Sequence, residues 1–343
     1  MIVPFTKALN NSTMMKYLLL LCCFFFCTPV SQAQHAPKHA PVLLIMDTDI
    51  GPDYDDVGAM AVLHCLADKG EVKPLAVMAS NKNKWVGPTI DVLNTYFGKP
   101  NLPIGVPKSS TAPDQTATQG WPAMIVNKYP HRLKTTADAP DAVMLYRRIL
   151  ASHPDASVTI VTTGFFTNLT ALLDSKPDKI SRLNGRELVA KKVKLLVSMA
   201  GAFPHGREYN VFIDSTASAK VCKEWPGSIL FSGYEIGAQI KTGPRLVANK
   251  SLQSPVKDVF AWCMPMSAED HDGRMSWDQS AVLVAIRGTA PYFGIKRGRI
   301  IIDGGNNSWE DDPAGPHAYL TEKMPFAEVT AVIETMMMHK RKK

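Results

Sequence analysis

The chain has 343 residues, 45% of them apolar and 20% charged, which excludes a disordered polymer and allows one large folded core. Its net charge of +7 comes from 38 Lys and Arg against 31 Asp and Glu, partly gathered in Lys7, Lys16 and the terminal His339-Lys340-Arg341-Lys342-Lys343. No basic stripe carries interleaved aromatics, so nucleic acid is not an expected partner.

Six cysteines are present, three of them in one apolar run near the start; only Cys65, Cys222 and Cys263 remain beyond it. That odd remainder is too small for a disulfide framework, and no Cys/His spacing suits zinc. Lys16 precedes the apolar run Tyr17 to Cys27, and the small residues Ser31 and Ala33 follow. This pattern predicts a secretory signal over residues 1–33, cleaved after Ala33. The run is shorter than the ~20 residues that span a bilayer. The expectation is a mature chain 34–343, free of the membrane and exported to the periplasm or the extracellular space. Self-association is left open.

Within the mature chain, Val42-Leu43-Leu44-Ile45-Met46 is an unbroken apolar run, as expected of a strand buried on both faces. An acidic loop follows, then a helical pattern from Val57 to Ala67. Further strands are expected at 72–78, 157–161, 194–199, 228–232 and 299–302. Helices are expected at 89–97, near 168–173, after a capping Asp214, at 278–287 and at 326–338. The stretch Lys108 to Ala139 is polar and reads as irregular surface. Strands alternating with helices predict an α/β fold: one domain with an open, mostly parallel sheet flanked by helices.

The most informative segment is Met46-Asp47-Thr48-Asp49-Ile50-Gly51-Pro52-Asp53-Tyr54-Asp55-Asp56-Val57-Gly58-Ala59. Its five Asp fall just after the first strand, at the sheet edge where open α/β folds bind ligands. Carboxylates so crowded repel one another unless a cation neutralises them, and hard oxygens suit Ca²⁺ or Mg²⁺. The plainer alternative is a solvated loop whose Asp55 and Asp56 favour a helix dipole. Walker A, GxGxxG, HExxH and GxSxG motifs are absent. Asp47-Thr48-Asp49 also admits a haloacid-dehalogenase-like phosphatase with an aspartate nucleophile.

Asp47-Thr48-Asp49-Ile50-Gly51 with Asp55-Asp56-Val57-Gly58-Ala59 resembles the amino-terminal signature of the inosine–uridine nucleoside hydrolase family, lengthened around Asp53 and Tyr54. Three further segments match in the family's order: Thr162-Thr163-Gly164 through Asn168-Leu169, Glu208-Tyr209-Asn210 through Asp214, and Ser276-Trp277-Asp278 through Val282. The resemblance implies a calcium-dependent nucleoside N-ribohydrolase, a glycosidase serving purine salvage, with a small nucleoside as its substrate. It implies Asp49, Asp56 and Asp278 as carboxylate ligands of Ca²⁺ and Thr163 as a carbonyl ligand. Asp49 would also be the general base. Asp55, Asn81, Glu208, Asn210 and Asp278 would grip the ribose.

Two departures stand out. Phe203-Pro204-His205-Gly206-Arg207 lacks the Asn that the family places against the sugar. Trp277 stands where many members have a His that protonates the departing base. The expectation is that Trp277 stacks on a purine and favours its protonation, with His271 and Arg274 as substitute acids. A calcium-dependent nucleoside- or sugar-binding protein without turnover is the non-enzymatic alternative.

Overall fold

The computed structural model describes Met1 and residues 40–340; the expected signal segment lies outside the described residues. Twelve strands follow in chain order: β1 (Val42–Thr48), β2 (Val72–Ala79), β3 (Ile104–Gly105), β4 (Val158–Thr162), β5 (Val193–Met199), β6 (His205–Gly206), β7 (Ile229–Ser232), β8 (Lys241–Thr242), β9 (Arg274–Met275), β10 (Phe293–Asp303), β11 (Asn306–Asp311) and β12 (His317–Glu322). Ten of them form one sheet in the order β3-β2-β1-β4-β5-β7-β12-β10-β11-β6, while β8 and β9 pair separately. The run from β3 to β12 is parallel. The α/β reading with a mostly parallel sheet therefore holds.

Alternation along β1 explains its unbroken apolar run. Leu44 and Met46 pack into the apolar layer on one face of the sheet, and Ile45 into the layer on the other. Both faces are covered by helices, so neither parity of residue can be polar without a partner. The first layer contains the helices Asp55–Asp68, Trp277–Arg287 and Phe326–Met337; the second contains Ala142–Ser152 and Thr167–Asp174.

β1 has β2 on one side and β4 on the other, both parallel to it. The chain thus leaves β1 in one direction and returns on its opposite flank. This reversal opens a crevice beyond the carboxyl ends of β1 and β4, the place where such sheets bind ligands. Asp49 follows β1 and Thr163 follows β4.

The structure departs from sequence expectation in two places. The stretch Lys108 to Ala139 is not merely irregular surface, because it contains the helix Trp121–Lys128, with Trp121 fully buried. The carboxyl-terminal part of the sheet is an antiparallel extension, β12-β10-β11-β6, of which only residues 299–302 were expected. β10 mixes charged with apolar residues along its length and β11 is charged, so neither carries the long apolar run that marks a doubly buried strand. Asp214 does cap the helix Ser215–Glu224, accepting the Ala217 N–H. Cys65, Cys222 and Cys263 are unpaired and buried. No helix among the described residues is long and apolar enough to cross a membrane.

Candidate active site

A cleft of about 490 Å³ opens at the switch point. Asp49, Asp55, Thr163, Glu208, Asn210, Trp277 and Asp278 all line it, although they come from segments spread over more than two hundred residues. Each stands where an element begins or ends. Asp49 leaves β1 and Thr163 leaves β4, while Asp55 and Asp56 open the helix Asp55–Asp68. Glu208 caps the short helix Tyr209–Ile213, and Trp277 and Asp278 open the helix Trp277–Arg287.

Asp47 and Asp49 share the same parity, and what divides them is the end of β1 at Thr48, beyond which Asp49 leaves the strand. Asp47 turns into the second apolar layer, accepting hydrogen bonds from Tyr146 Oη at 2.8 Å and Asn168 Nδ2 at 3.1 Å. It is sealed from solvent, and burial pushes its carboxyl up to about 7 against those bonds. No substrate can reach it, which removes Asp47 as the nucleophile of a phosphatase. Asp49 faces the cleft. The Thr163-Gly164 turn is pressed against it: a Cβ on Gly164 would stand 2.4 Å from Asp49 N and 2.7 Å from Asp49 Cβ. Gly164→Ala must therefore move one of two backbones. Overpacking of this kind costs about 1–3 kcal/mol. The expected result is a lower melting temperature together with a large loss of activity; a variant matching wild type in both would contradict the close approach.

Asp56 Oδ1 accepts the hydroxyls of Thr48 and, at 3.0 Å, Thr163. Its other oxygen, Oδ2, is buried and has no hydrogen-bond partner among the described residues. Burial, then Asp55, pushes the Asp56 carboxyl up to about 7. Burial and the surrounding Asp side chains likewise hold Asp49 and Asp278 well above the usual carboxylate range. These are acids crowded beyond what protein groups alone neutralise, so a cation would favour their charged forms. Among the described residues no group of three or more His, Cys, Asp or Glu has the spacing to hold a metal ion by itself. Calcium, however, takes six to eight oxygen ligands, backbone carbonyls and waters among them. The all-oxygen donor set and the unpartnered Asp56 oxygen fit such an ion.

Glu208 is engaged by backbone: Oε1 accepts Asn210 N at 2.7 Å, and Oε2 accepts Gly201 N at 3.0 Å and Val211 N at 3.1 Å. Burial raises its pKa and these bonds oppose the rise. Asn210 donates to Met199 O at 3.2 Å.

Asn81 departs from expectation. Its Nδ2 donates to Asp49 O at 3.0 Å and Gln115 O at 2.8 Å, while its Oδ1 accepts Asn83 N and Gln115 N. An amide has two donors and two lone pairs, so Asn81 has nothing left for a sugar. It buttresses the Asp49 backbone instead, as a residue just past a strand often does.

The segment lacking the family's Asn is used otherwise. Phe203 stacks on Tyr319 at 4.5 Å, His205–Gly206 form edge strand β6, and Arg207 lines the cleft with its guanidinium 3.6 Å over Phe212. Of the two substitute acids, exposed His271 lines a separate hollow with Pro244 and Phe260. Arg274 does line the cleft. Burial would lower its pKa, but Asp53, Asp55 and Asp270 outweigh burial and hold the guanidinium charged. It cannot release a proton, so neither residue substitutes as the acid. Trp277 Nε1 donates to Tyr234 O at 2.8 Å, and its ring lies 5.3 Å from the Tyr234 ring. Tyr234, Tyr209 and Phe212 were not singled out from sequence. Tyr234 follows the carboxyl end of β7, and that position was its available signal.

Residues 44–331 match the family model described as inosine-uridine preferring nucleoside hydrolase. The chain belongs to this family. Nucleoside hydrolase family members are in general metal-dependent. A family member from Leishmania major is 29% identical over 137 residues, which are 38% of each chain. One from Crithidia fasciculata is 26% identical over 196 residues, 54% of this chain and 58% of that protein. The matched stretches thus span less than two thirds of either relative. Among solved structures, the fold resembles the purine-preferring ribonucleoside hydrolase of Gardnerella vaginalis (TM-score 0.68, 17% identity, 86% of this chain and 99% of that one). It also resembles a plant nucleoside hydrolase (TM-score 0.66, 19% identity, 87% and 99%).

Proposed function

We propose that the protein hydrolyses the N-glycosidic bond of ribonucleosides, purine nucleosides foremost, to free base and ribose. The observation that carries this reading is the convergence of Asp49, Thr163, Asp278, Glu208 and Asn210 on one cleft whose far wall is aromatic. A bound Ca²⁺ would orient the attacking water and the ribose diol and lower the pKa of that water. Asp49, Asp56 and Asp278 would hold the ion with the Thr163 carbonyl. Asp49 accepts a proton from the water, whose oxygen forms the new bond to the anomeric carbon. The carbon–nitrogen bond breaks, its electron pair leaves with the base, and the base takes up a proton from solvent. Glu208, Asn210 and Asp55 hold the ribose as it flattens towards an oxocarbenium ion. Asp55 shares its Oδ1 with Arg274 at 3.0 Å, which fixes its direction.

The test is incubation of the protein with a nucleoside panel and Ca²⁺, with free base and reducing sugar both measured. Equimolar release of the two is expected, faster from purine nucleosides. Tight nucleoside binding without product would favour the binding protein, and phosphate release from phosphate esters would favour the phosphatase. Residues 1–33 are read as an export signal, which would put this reaction in the periplasm or outside the cell.

Trp277 is read as the stacking surface for the base. Its cation–π support of a ring gaining positive charge is worth about 0.5–2 kcal/mol, a factor of roughly 2–30. Trp277→Ala is therefore expected to lose that much more on inosine than on p-nitrophenyl riboside, whose nitrophenolate leaves without protonation. Equal losses on the two substrates would reduce Trp277 to packing.

A further inference from the structure

The residues that lengthen the acidic loop, Asp53 and Tyr54, each reach a segment more than two hundred positions later. The Tyr54 hydroxyl donates to Asp270 Oδ2 at 2.6 Å, and its ring meets Phe260 edge-on at 5.0 Å. Arg274 Nη2 donates to Asp53 Oδ2 at 2.6 Å and to Asp55 Oδ1 at 3.0 Å, while Nη1 lies 3.7 Å from Asp270 Oδ1. The guanidinium also stands 5.0 Å from the Tyr54 ring centroid. Asp55 passes the restraint onward, since its Oδ2 faces the Asp278 N–H at 3.4 Å.

We propose that Tyr54, Asp270 and Arg274 form a clasp that positions the acidic loop, and through Asp55 the start of the helix carrying Asp278, for metal binding. This rests on the metal reading above and extends it to residues that touch neither the ion nor the sugar. The physical need is specific. Asp53, Asp55, Asp56 and Asp278 repel one another, and without a fixed cation the loop would relieve that repulsion by splaying. Arg274 is the cation that prevents this, and its planar fork holds direction where a Lys would not. Tyr54 and Asp270 hold the loop and the guanidinium in register.

Charge alone makes the opposite forecast for the decisive variant. A positive Arg274 opposes a bound cation, so its loss should tighten calcium; loss of negative Asp270 should weaken it, and neutral Tyr54 should not matter. A positioning clasp predicts weakening in all three. The experiment titrates Ca²⁺ calorimetrically into metal-stripped full-length wild type, Tyr54→Phe, Asp270→Asn and Arg274→Gln, with melting curves at saturating Ca²⁺ as the check on folding. The expected result is a Kd at least tenfold higher for Arg274→Gln and severalfold higher for the other two. Calcium binding by Arg274→Gln as tight as wild type or tighter, or by Tyr54→Phe indistinguishable from wild type, would overturn the clasp alone. If Arg274→Gln does not fold, Tyr54→Phe decides, because it keeps every charge and removes one hydroxyl. A wild-type protein that takes up no Ca²⁺ would overturn the metal reading, and the clasp with it.

Discussion

Asp49→Asn is expected to lower kcat on inosine by about 10²–10⁴-fold, the usual cost of losing a general base. The amide keeps the shape of the carboxylate but cannot take the water proton, and it is a poorer calcium ligand. The informative comparison is Asp47→Asn, two residues away. Asp47 is closed off behind Tyr146 and Asn168 on the other face of the sheet. Its substitution should act through stability, leaving activity per folded molecule within about tenfold of wild type, because it touches no reacting atom. Steady-state kinetics on both variants, scaled by the folded fraction, decides the assignment. An active Asp49→Asn, or an Asp47→Asn that is the more damaged of the two, would reverse it.

Removal of calcium is expected to lower the melting temperature markedly. An ion present at about 100 times its Kd stabilises the native state by about 2.7 kcal/mol. In a chain this long each kcal/mol moves the midpoint by about 2–4 °C, so chelation should shift it by about 5–10 °C. The shift should vanish in Asp56→Ala and Asp278→Ala, whose apo forms should melt no lower than apo wild type. Each deletes a buried carboxylate that burial and its neighbours hold well away from its ordinary pKa. Melting that ignores both chelator and added Ca²⁺ would leave the carboxylate cluster without its proposed ion.

Local sequence carried a good part of this protein. The apolar run Val42–Met46 followed by crowded Asp residues identified a doubly buried strand and a ligand-binding edge, because a parallel sheet leaves no polar face and binds at its carboxyl ends. Alternation could not separate Asp47 from Asp49, which share parity; the end of β1 at Thr48 does. Strands β11 and β12 were not legible: β11 is charged and lies near the sheet margin, and β12 mixes polar with apolar residues in so short a stretch that neither a run nor a period shows. Nor was the fate of Asn81, Arg274 and His271. Each is a polar residue near a strand end or loop, equally suited to a sugar, a proton or a turn. His271 is set apart by lining a different hollow, and Asn81 and Arg274 by the hydrogen-bond partners they already engage, which lie far away in the chain: Gln115 for Asn81, Asp53 and Asp55 for Arg274. By itself, then, the sequence determined the fold class and placed the acidic loop at the crevice, because burial pattern and strand ends are local properties, while Asp278 was tied to that loop only through the family resemblance. Only the tertiary structure decided which polar groups are free to do chemistry, because a donor or lone pair is spent by whatever distant residue the fold brings within about 3 Å of it.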